Sequence, residues 1–514
     1  MEKQDDQEGK SRSGKRQKKR KAPPSRHSLA SLAKKWKKEK ETPEDVEQPP
    51  RPSSASDRKL QDLDAEVAEE RKHWNGLRII DPDKDLDHEG MQKFCALMDL
   101  PPAISYPTYK RTVDKIGCSV IECSNQAMNA AIQEEIDLFN STDIAISGDG
   151  TWQKRGFASK NDVVTAVGKN SGKCVDVEVM TTVCYGCTSY RGPKYGLEFE
   201  EWKEQHSAEC SINHEGSAGM MEVTGMKIIF SRSLQRGVRY SKYIGDGDAK
   251  TFSAVVDSKP YGDDLIPQKV ECTGHVQKRM GSQLRELKKK LRGTKLKDGK
   301  TIGGKGRLTD KRIDSFSTYY GNAIRSSSDV KTMKKKIWAI FYHYRSTDAA
   351  PQHSHCPTGP DSWCKYNLAV LENKQKQFKN QGLSPIVMDA IKPVFEKLTK
   401  DDLLERCVGG HTQNPNESLN SVIWKNVPKT IFCGKQVLDI GVADAVLTFN
   451  SGYKGRLKVM KMFGVTPGKF CVQYCNAADW KRIAKANTKA LSSTKEARGA
   501  RRQSQKQRNE EQQE

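Results

Sequence analysis

Long apolar runs are missing from this 514-residue chain. Only 35% of the residues are hydrophobic and 7% are aromatic, while 30% are charged, so sizeable parts cannot belong to a packed core. No run approaches the roughly 20 apolar residues that span a bilayer, and the opening residues, MEKQDDQEGK, lack the apolar stretch of a signal peptide. We therefore expect a soluble, intracellular protein with no membrane partner.

Several recognisable motifs are also missing. The chain has no internal repeat and no complete zinc-finger or homeodomain reader of DNA. The segment KDGKTIGGKGR contains glycines and lysines but lacks the spaced Gly-Lys-Ser/Thr of a phosphate-binding loop. The sequence therefore predicts no nucleotide site of that kind.

Positive charge is abundant and concentrated at the ends. The net charge of +23 and a pI near 9.3 favour a polyanionic partner, with nucleic acid as the leading class. Residues 10–40 carry fourteen Lys or Arg against one acid, in blocks at 15–21 and 34–40. Two such blocks are typical of a nuclear localisation signal captured by an import receptor, so we expect the protein in the nucleus. A non-specific nucleic-acid arm is a compatible alternative.

Three acidic residues stand in chemically suggestive settings. Asp149 follows the apolar run TDIAISG, and Asp246 follows VRYSKYIG, so both are predicted at the carboxyl ends of buried strands. Glu417 lies in NPNESLNSVIW, where Pro415 fits a first helical turn. Three convergent carboxylates can hold two divalent ions such as Mg²⁺ or Mn²⁺. The alternative is that acids beside glycines only form turns.

Fourteen cysteines in a reducing compartment indicate zinc ligands or free thiols more than disulfides. One group falls in a predicted insertion at 184–215. We favour Zn²⁺ held by three cysteines and one of two histidines, with a surface loop of incidental thiols as the alternative. The candidate ligands are Cys184, Cys187, His206, Cys210 and His214.

A family resemblance follows from the ordered motifs DGTWQKRGF, VVTAVG, VDVEVM, GDGDAKTF, ECTGHVQKRMG and TQNPNESLNSVIW. Over roughly residues 85–460 the chain resembles the Mutator-like transposase domain of eukaryotic DNA transposons. The resemblance implies an α/β, RNase H-like core, a mixed sheet with flanking helices, and an Asp-Asp-Glu triad at Asp149, Asp246 and Glu417. Asp248 is an alternative to Asp246 as the second acid.

The resemblance also implies a Cys-x-x-His motif after the second acid, matched by Cys272 and His275. Similar transposases carry a zinc site near the triad, and Cys407 with His411 would complete such a site here. That site would tie the predicted strand before Cys272 to the helix of Glu417. Alternative ligands are His353, Cys356 and Cys364.

The domain organisation follows from composition and motif spacing. A helical insertion with lysines for DNA phosphates is predicted between Asp246 and Glu417. The expected segments are a disordered arm and linker (1–58), a helical region (59–140), the first part of the core (141–282), the helical insertion (283–400), the second part of the core (401–460) and a basic tail (461–514).

The implied function is metal-dependent DNA cleavage and strand transfer by a DDE transposase acting on transposon ends and target DNA. A homo-oligomer is expected, since two DNA ends usually need two active sites. One alternative is a transposase-derived nuclear DNA-binding protein without activity, and another is a zinc-bearing scaffold that binds protein.

Overall fold

The computed structural model describes most of the chain beyond residue 87. Its described residues are 88–97, 99–154, 159–247, 249–360, 362–374, 378, 382–430 and 432–492. The predicted arm and linker at 1–58, the first part of the predicted helical region, Asp248 and the end of the tail lie outside the described residues.

The described chain is a mixed α/β structure. Its strands are β1 (Asp143–Trp152), β2 (Asn161–Gly168), β3 (Cys174–Thr181), β4 (Arg239–Gly245) and β5 (Gln268–Glu271). Its helices are α1 (His88–Leu97), α2 (Tyr106–Phe139), α3 (Tyr185–Ser189), α4 (Leu197–Ser207), α5 (Ala218–Arg232), α6 (Ala249–Asp257), α7 (Thr273–Lys290), α8 (Asp310–Arg325), α9 (Val330–Arg345), α10 (Lys365–Leu371), α11 (Pro385–Leu398), α12 (Asp401–Glu405), α13 (Asn414–Asn426), α14 (Lys435–Ser451), α15 (Gly455–Met462) and α16 (Lys469–Ser492), with a short 3₁₀ turn at Ser233–Arg236.

The five strands form one sheet in the order β3-β2-β1-β4-β5. Strands β1, β2 and β3 form an antiparallel meander, while β4 and β5 run parallel to β1. The parallel connections are long enough to carry helices, as a crossover between parallel strands requires. The carboxyl ends of β1, β4 and β5 therefore meet at one end of the sheet.

Helices cover both faces of the sheet, as the alternation along β2 shows. Val164 and Ala166 share an apolar cluster with residues of α5 such as Met226. Val163 and Val167 belong to a second cluster, formed with residues of α13 and α14. Because successive side chains of a strand point to opposite faces, β2 is buried along its whole length.

A separate helical unit with its own apolar core lies between β5 and α13 in the chain. Its buried cluster runs from Val276 to Cys407 and includes residues of α7, α8, α9, α11 and α12. Capping side chains set two of its helix starts: Thr309 accepts from Arg312 N–H, and Asp329 from Thr332 N–H. Helix α7 begins at the edge of the sheet and continues into this unit, so the two regions share one rigid element. Among the described helices, none has the length and apolar character needed to cross a membrane.

Candidate active site and metal centres

Two of the three predicted acids lie side by side at the end of the sheet. The parallel pairing of β1 with β4 ends with Ser147 opposite Ile244. Asp149 and Asp246 each follow two residues later, so the strand register brings them to the same level at the ends of neighbouring strands. The sequence predicted Asp149 at the carboxyl end of β1. In the structure β1 continues to Trp152, because β2 keeps pairing with it and places Thr165 opposite Asp149.

The glycine before the first acid is required by close packing. A Cβ atom at Gly148 would lie 2.4 Å from the ring of Tyr243 and 2.5 Å from the methyl group of Met226. Both neighbours are buried in the sheet core, so neither can move easily. Close packing thus requires glycine at this position, which a simple turn would not explain.

Helix α13 is fixed to β1 by a line of polar side chains. Asn416 donates to the carbonyl oxygen of Ser147 at 3.0 Å. Asn420 donates from Nδ2 to Oδ2 of Asp149 at 2.8 Å. Further donors on the same helical face are Gln413 to the carbonyl of Gly148 at 2.7 Å and Trp424 to Oγ1 of Thr151 at 2.8 Å.

Glu417 lies in the first turn of this helix, with its side chain exposed. The sequence pattern predicted the helix but not the row of polar side chains that attaches it to β1. The missed signal is a set of amides at 413, 416 and 420, a helical spacing of three and four residues. Because α13 is attached along β1, the negative charge of Glu417 lies close enough to raise the pKa of Asp149.

The pKa of Asp149 reflects its interactions with the other two acids. The pKa of its carboxyl is raised to about 6, chiefly by burial and also by the negative charges of Asp246 and Glu417. His275 and the hydrogen bond from Asn420 act in the opposite direction. Like charges that share a site disfavour one another's ionised forms, so the three acids form one interacting group.

His275 lies in the first turn of α7, next to these acids. Its Nδ1 atom is 2.9 Å from Oε1 of Gln413, whose amide nitrogen already donates to Gly148. The amide oxygen must accept, so Nδ1–H of His275 is the donor. The pKa of His275 is raised, chiefly by its hydrogen bond with the Cys272 thiol. Gln413 therefore links β1, α13 and α7 at the acid group.

The structure brings some of the four donors Cys272, His275, Cys407 and His411 close to one another. Thr273 N–H donates to the carbonyl of His411, so the two backbones are adjacent. Yet in the described part of the chain these donors are not among the groups whose ligand atoms lie within 4.8 Å of one another. Cys272 interacts with both His275 and Cys407, whereas the imidazole of His411 is influenced by Lys169 and Lys242 instead.

A groove of about 320 Å³ opens beside Asp246. His275, Lys278 and Ser282, spaced three and four residues apart, line it along one face of α7. Lys278 is exposed, whereas Arg279 pairs with the buried carboxylate of Glu271 at 2.5 Å. The groove thus carries positive charge next to the acids.

In the 184–215 insertion, the structure brings together Cys184, Cys187, His206 and Cys210. Cys184 Sγ lies 3.2 Å from Nε2 of His206, and the sulfurs of Cys187 and Cys210 are 3.6 Å apart. The four ligand atoms lie within 4.8 Å of one another and could hold a metal ion.

The choice between the two histidines of this insertion is resolved by the local structure. His206 ends helix α4 and stacks on Trp202 at 4.8 Å. His214 instead donates from Nε2 to the carbonyl oxygen of Ser217 and lies outside the group. Burial alone would raise the pKa of Cys184, but hydrogen bonds, including one from His206, lower it to about 6. A thiolate is the form that binds metals.

A second cysteine and histidine group lies in the helical unit. It joins His353, Cys356 and Cys364 with His343 of α9. His353, Cys356 and Cys364 were predicted as alternative ligands for the site near the acids, whereas His343 was not predicted as a ligand. The missed signal is a histidine in the last turn of the helix that precedes the other three.

Comparison with known proteins gives one positive result. A family model described as Mutator-like transposase matches residues 85–364, which is more than half of the chain and includes Asp149 and Asp246 but not Glu417. Neither the curated proteins nor the solved structures compared with the chain gave a match. The motifs at the strand ends and the extent of this match together show that the chain belongs to the Mutator-like transposase family.

Proposed function

We propose that this protein is a DDE-type DNA transposase that cleaves and joins DNA with divalent metal ions. Membership of the family supports a transposase-related function with DNA as the partner. The proposal extends to an RNase H-like core, which is supported by the mixed sheet with helices on both faces. The observation that carries the proposal is the interaction of Asp149 with both Asp246 and Glu417 at one end of that sheet.

The acid group has the chemistry that Mg²⁺ or Mn²⁺ requires. Carboxylate oxygens are hard ligands, and Asp149 has a raised pKa because burial and like charge oppose its ionised form. A bound cation would remove that opposition. We assign Asp149, Asp246 and Glu417 as the residues that would hold the ions.

The roles of the chain's own residues follow from their positions. When bound, the metal ions would lower the pKa of the attacking water or hydroxyl and stabilise the leaving 3′-oxygen. Asn420 holds the Asp149 carboxylate in one orientation, and Gln413 fixes the ring of His275 beside it. Lys278 supplies positive charge in the groove that opens at Asp246, where a DNA phosphate would lie.

We further propose Zn²⁺ as the ion held by the cysteines and histidine of the insertion. A tetrahedral zinc ion with sulfur ligands at about 2.3 Å separates two sulfurs by about 3.8 Å. The Cys187 and Cys210 sulfurs are 3.6 Å apart, close to that value. Three thiolates and one imidazole form a closed, structural set. The role we assign to this zinc is to hold the insertion together.

We propose that the basic arm, which lies outside the described residues, directs the protein to the nucleus. There the protein is proposed to act as a homo-oligomer on two DNA ends. Fusion of residues 1–58 to a fluorescent reporter tests the first point. Nuclear accumulation is expected, and it should be lost when the lysines and arginines of 15–21 and 34–40 are replaced by glutamine.

A cleavage assay tests the central proposal. Full-length protein is incubated with DNA carrying the terminal inverted repeats, in Mg²⁺ or Mn²⁺, and nicking at the element ends is measured. Asp149→Asn should reduce the rate on the order of 1000-fold or more, because a metal-stabilised transition state is worth several kcal/mol. The matched control is Asp257→Asn, an exposed acid at the end of α6, which should be unchanged. Equal inertness of wild type and Asp149→Asn, with DNA binding retained, would favour the DNA-binding alternative.

A further inference from the structure

The second cysteine and histidine group combines a helix with the segment that follows it. His343 projects from α9, His353 and Cys356 lie in the connecting segment 346–364, and Cys364 directly precedes α10. We propose that these four residues hold a structural zinc ion that fixes segment 346–364 against α9. The proposal is independent of the transposase proposal, because none of these residues belongs to the acid group.

The distances between the donors match those around a tetrahedral zinc ion. With Zn–S near 2.3 Å and Zn–N near 2.05 Å, a sulfur and a nitrogen ligand are separated by about 3.6 Å. Cys364 Sγ lies 3.6 Å from Nδ1 of His343 and 3.5 Å from Nδ1 of His353. Cys356 Sγ lies 3.6 Å and 3.9 Å from the same two atoms. All four sulfur–nitrogen separations are therefore those of a single shared ion.

The far side of His353 is built to support metal binding. Its Nε2 atom lies 2.9 Å from Oγ of the buried Ser346, which also accepts from Gln352 N–H at 3.0 Å. When Nε2–H donates to this hydroxyl, the Nδ1 lone pair faces the two sulfurs. A metal-bound histidine characteristically donates its other ring N–H in this way. The ring also stacks on Tyr366 at 4.2 Å, which holds its orientation.

The described part of segment 346–364 has no apolar core of its own. It contains no helix or strand. The buried residues of that part are Ser346, His353, Cys356, Ser362 and Cys364. The interior of the segment is thus the donor set and two serines, with no apolar core. A long connection of this kind needs another source of order, and a metal ion supplies it.

Segment 346–364 borders a large cavity in the helical unit. It forms one wall of a cavity of about 1140 Å³, with α8 and α9 opposite. His355 and Trp363 line the cavity from the segment, and Arg312 and Lys335 line it from the helices. Because His343 and Cys356 also line it, the zinc ion would set the shape of this cavity directly.

Metal content tests the proposal in the full-length chain, purified without chelator and analysed for zinc by mass spectrometry. Two zinc ions per chain are expected, one for each group. Cys364→Ser and Cys184→Ser should each retain one, and the double variant should retain none. The matched control Cys433→Ser, a partly buried cysteine outside both groups, should retain two. The proposal is overturned if Cys364→Ser keeps the wild-type zinc content, or if Cys184→Ser alone removes all of it.

Thiol alkylation of the wild type gives a second measurement that does not depend on a variant folding. Cys356 and Cys364 should resist alkylation in the native protein and react in step with zinc release when chelator is added. Protection that persists after all zinc has left would show burial alone. Protection that ends only with a reductant would show a disulfide. Either result overturns the proposal, and neither bears on DNA cleavage, so a failure here is distinguishable from failure of the transposase proposal.

Discussion

The acid group and the two cysteine and histidine groups are assembled by different means. Asp149 and Asp246 are positioned by strand register, and Glu417 by a helix attached through buried amides. The cysteines and histidines lie mainly in short helices and connecting segments, and in 346–364 they are most of the buried interior. Strand register and hydrogen bonds therefore position the acids, whereas we propose that a metal ion holds the segments that carry the other donors.

This difference supports different proposed roles for the metal ions at the two kinds of site. At the acid group the like charges of Asp246 and Glu417 oppose ionisation of Asp149, and bound catalytic cations would offset that repulsion. At the other groups a bound ion contributes to folding. Removing a ligand should therefore abolish activity at the acid group, and it should lower the stability of the protein at either cysteine and histidine group.

The largest expected effect is on cleavage. Asp246→Asn and Glu417→Gln should each reduce the rate on the order of 1000-fold while leaving the melting temperature within a few degrees of wild type. If the acids hold the same ions, the double variant should be no worse than either single one, because residues that act as a unit are not additive. Additive losses, or an active Glu417→Gln enzyme, would separate Glu417 from the other two acids.

Much of this arrangement could be predicted from local sequence. The apolar runs before Asp149 and Asp246 predicted buried strands, and the structure has β1 and β4 there. The family assignment was confirmed. The spacing of Cys184, Cys187 and Cys210 also predicted a group that the structure brings together. These signals are contained within a few residues, where periodicity and spacing are informative.

What could not be predicted depends on contacts between distant segments. His343 joins its group only because the chain after α9 folds back on that helix. Cys272, Cys407 and His411 looked like partners in sequence, but only Cys272 and Cys407 interact, while His411 is influenced by Lys169 and Lys242. Asn416 and Asn420 gain their roles from β1, more than 250 positions away in the chain.

The stability of the 184–215 insertion tests the proposed role of its cysteine and histidine group. Cys184→Ser should lower the free energy of unfolding of the 184–215 insertion on the order of 3 kcal/mol, because a metal ligand is lost. Limited proteolysis should show faster cutting in that insertion, while DNA cleavage by intact molecules changes much less. Cys118→Ser, an exposed thiol on α2, is the control. If protease resistance were unaltered, the insertion would not depend on its metal.

The pH dependence of stability sharpens the argument for the acid group. The pKa of Asp149 is about 6 in the folded protein, against roughly 3.9 in an unfolded chain. Because the folded pKa is raised, the contribution of Asp149 to stability is most favourable below about pH 4 and is lost as the pH rises through 6. Without Mg²⁺ or Mn²⁺, Asp149→Asn should therefore be more stable than wild type at pH 8 by roughly 1–3 kcal/mol.

Urea unfolding at pH 4 and pH 8, in buffers without added divalent ions or chelator, measures this difference. The gain from Asp149→Asn should shrink toward zero at the lower pH, and Asp257→Asn should show no such trend. A variant that is less stable than wild type at pH 8 would mean that the carboxylate is stabilised by its surroundings, contrary to the repulsion argued here.

The smallest expected effect concerns Asn420. Its amide donates to Asp149 and lowers the pKa of that carboxyl, so Asn420→Ala should raise the pKa and move the acidic limb of the cleavage profile to higher pH. At neutral pH the rate should fall roughly 10-fold, since a hydrogen bond to a charged group contributes about 1.5–3 kcal/mol. Asn414→Ala, an exposed asparagine on the same helix, is the matched control. A lower melting temperature with no movement of the acidic limb would mean that Asn420 only attaches α13. A shifted limb with a nearly unchanged melting temperature would show that the fold sets the charge of the acid group separately from its position.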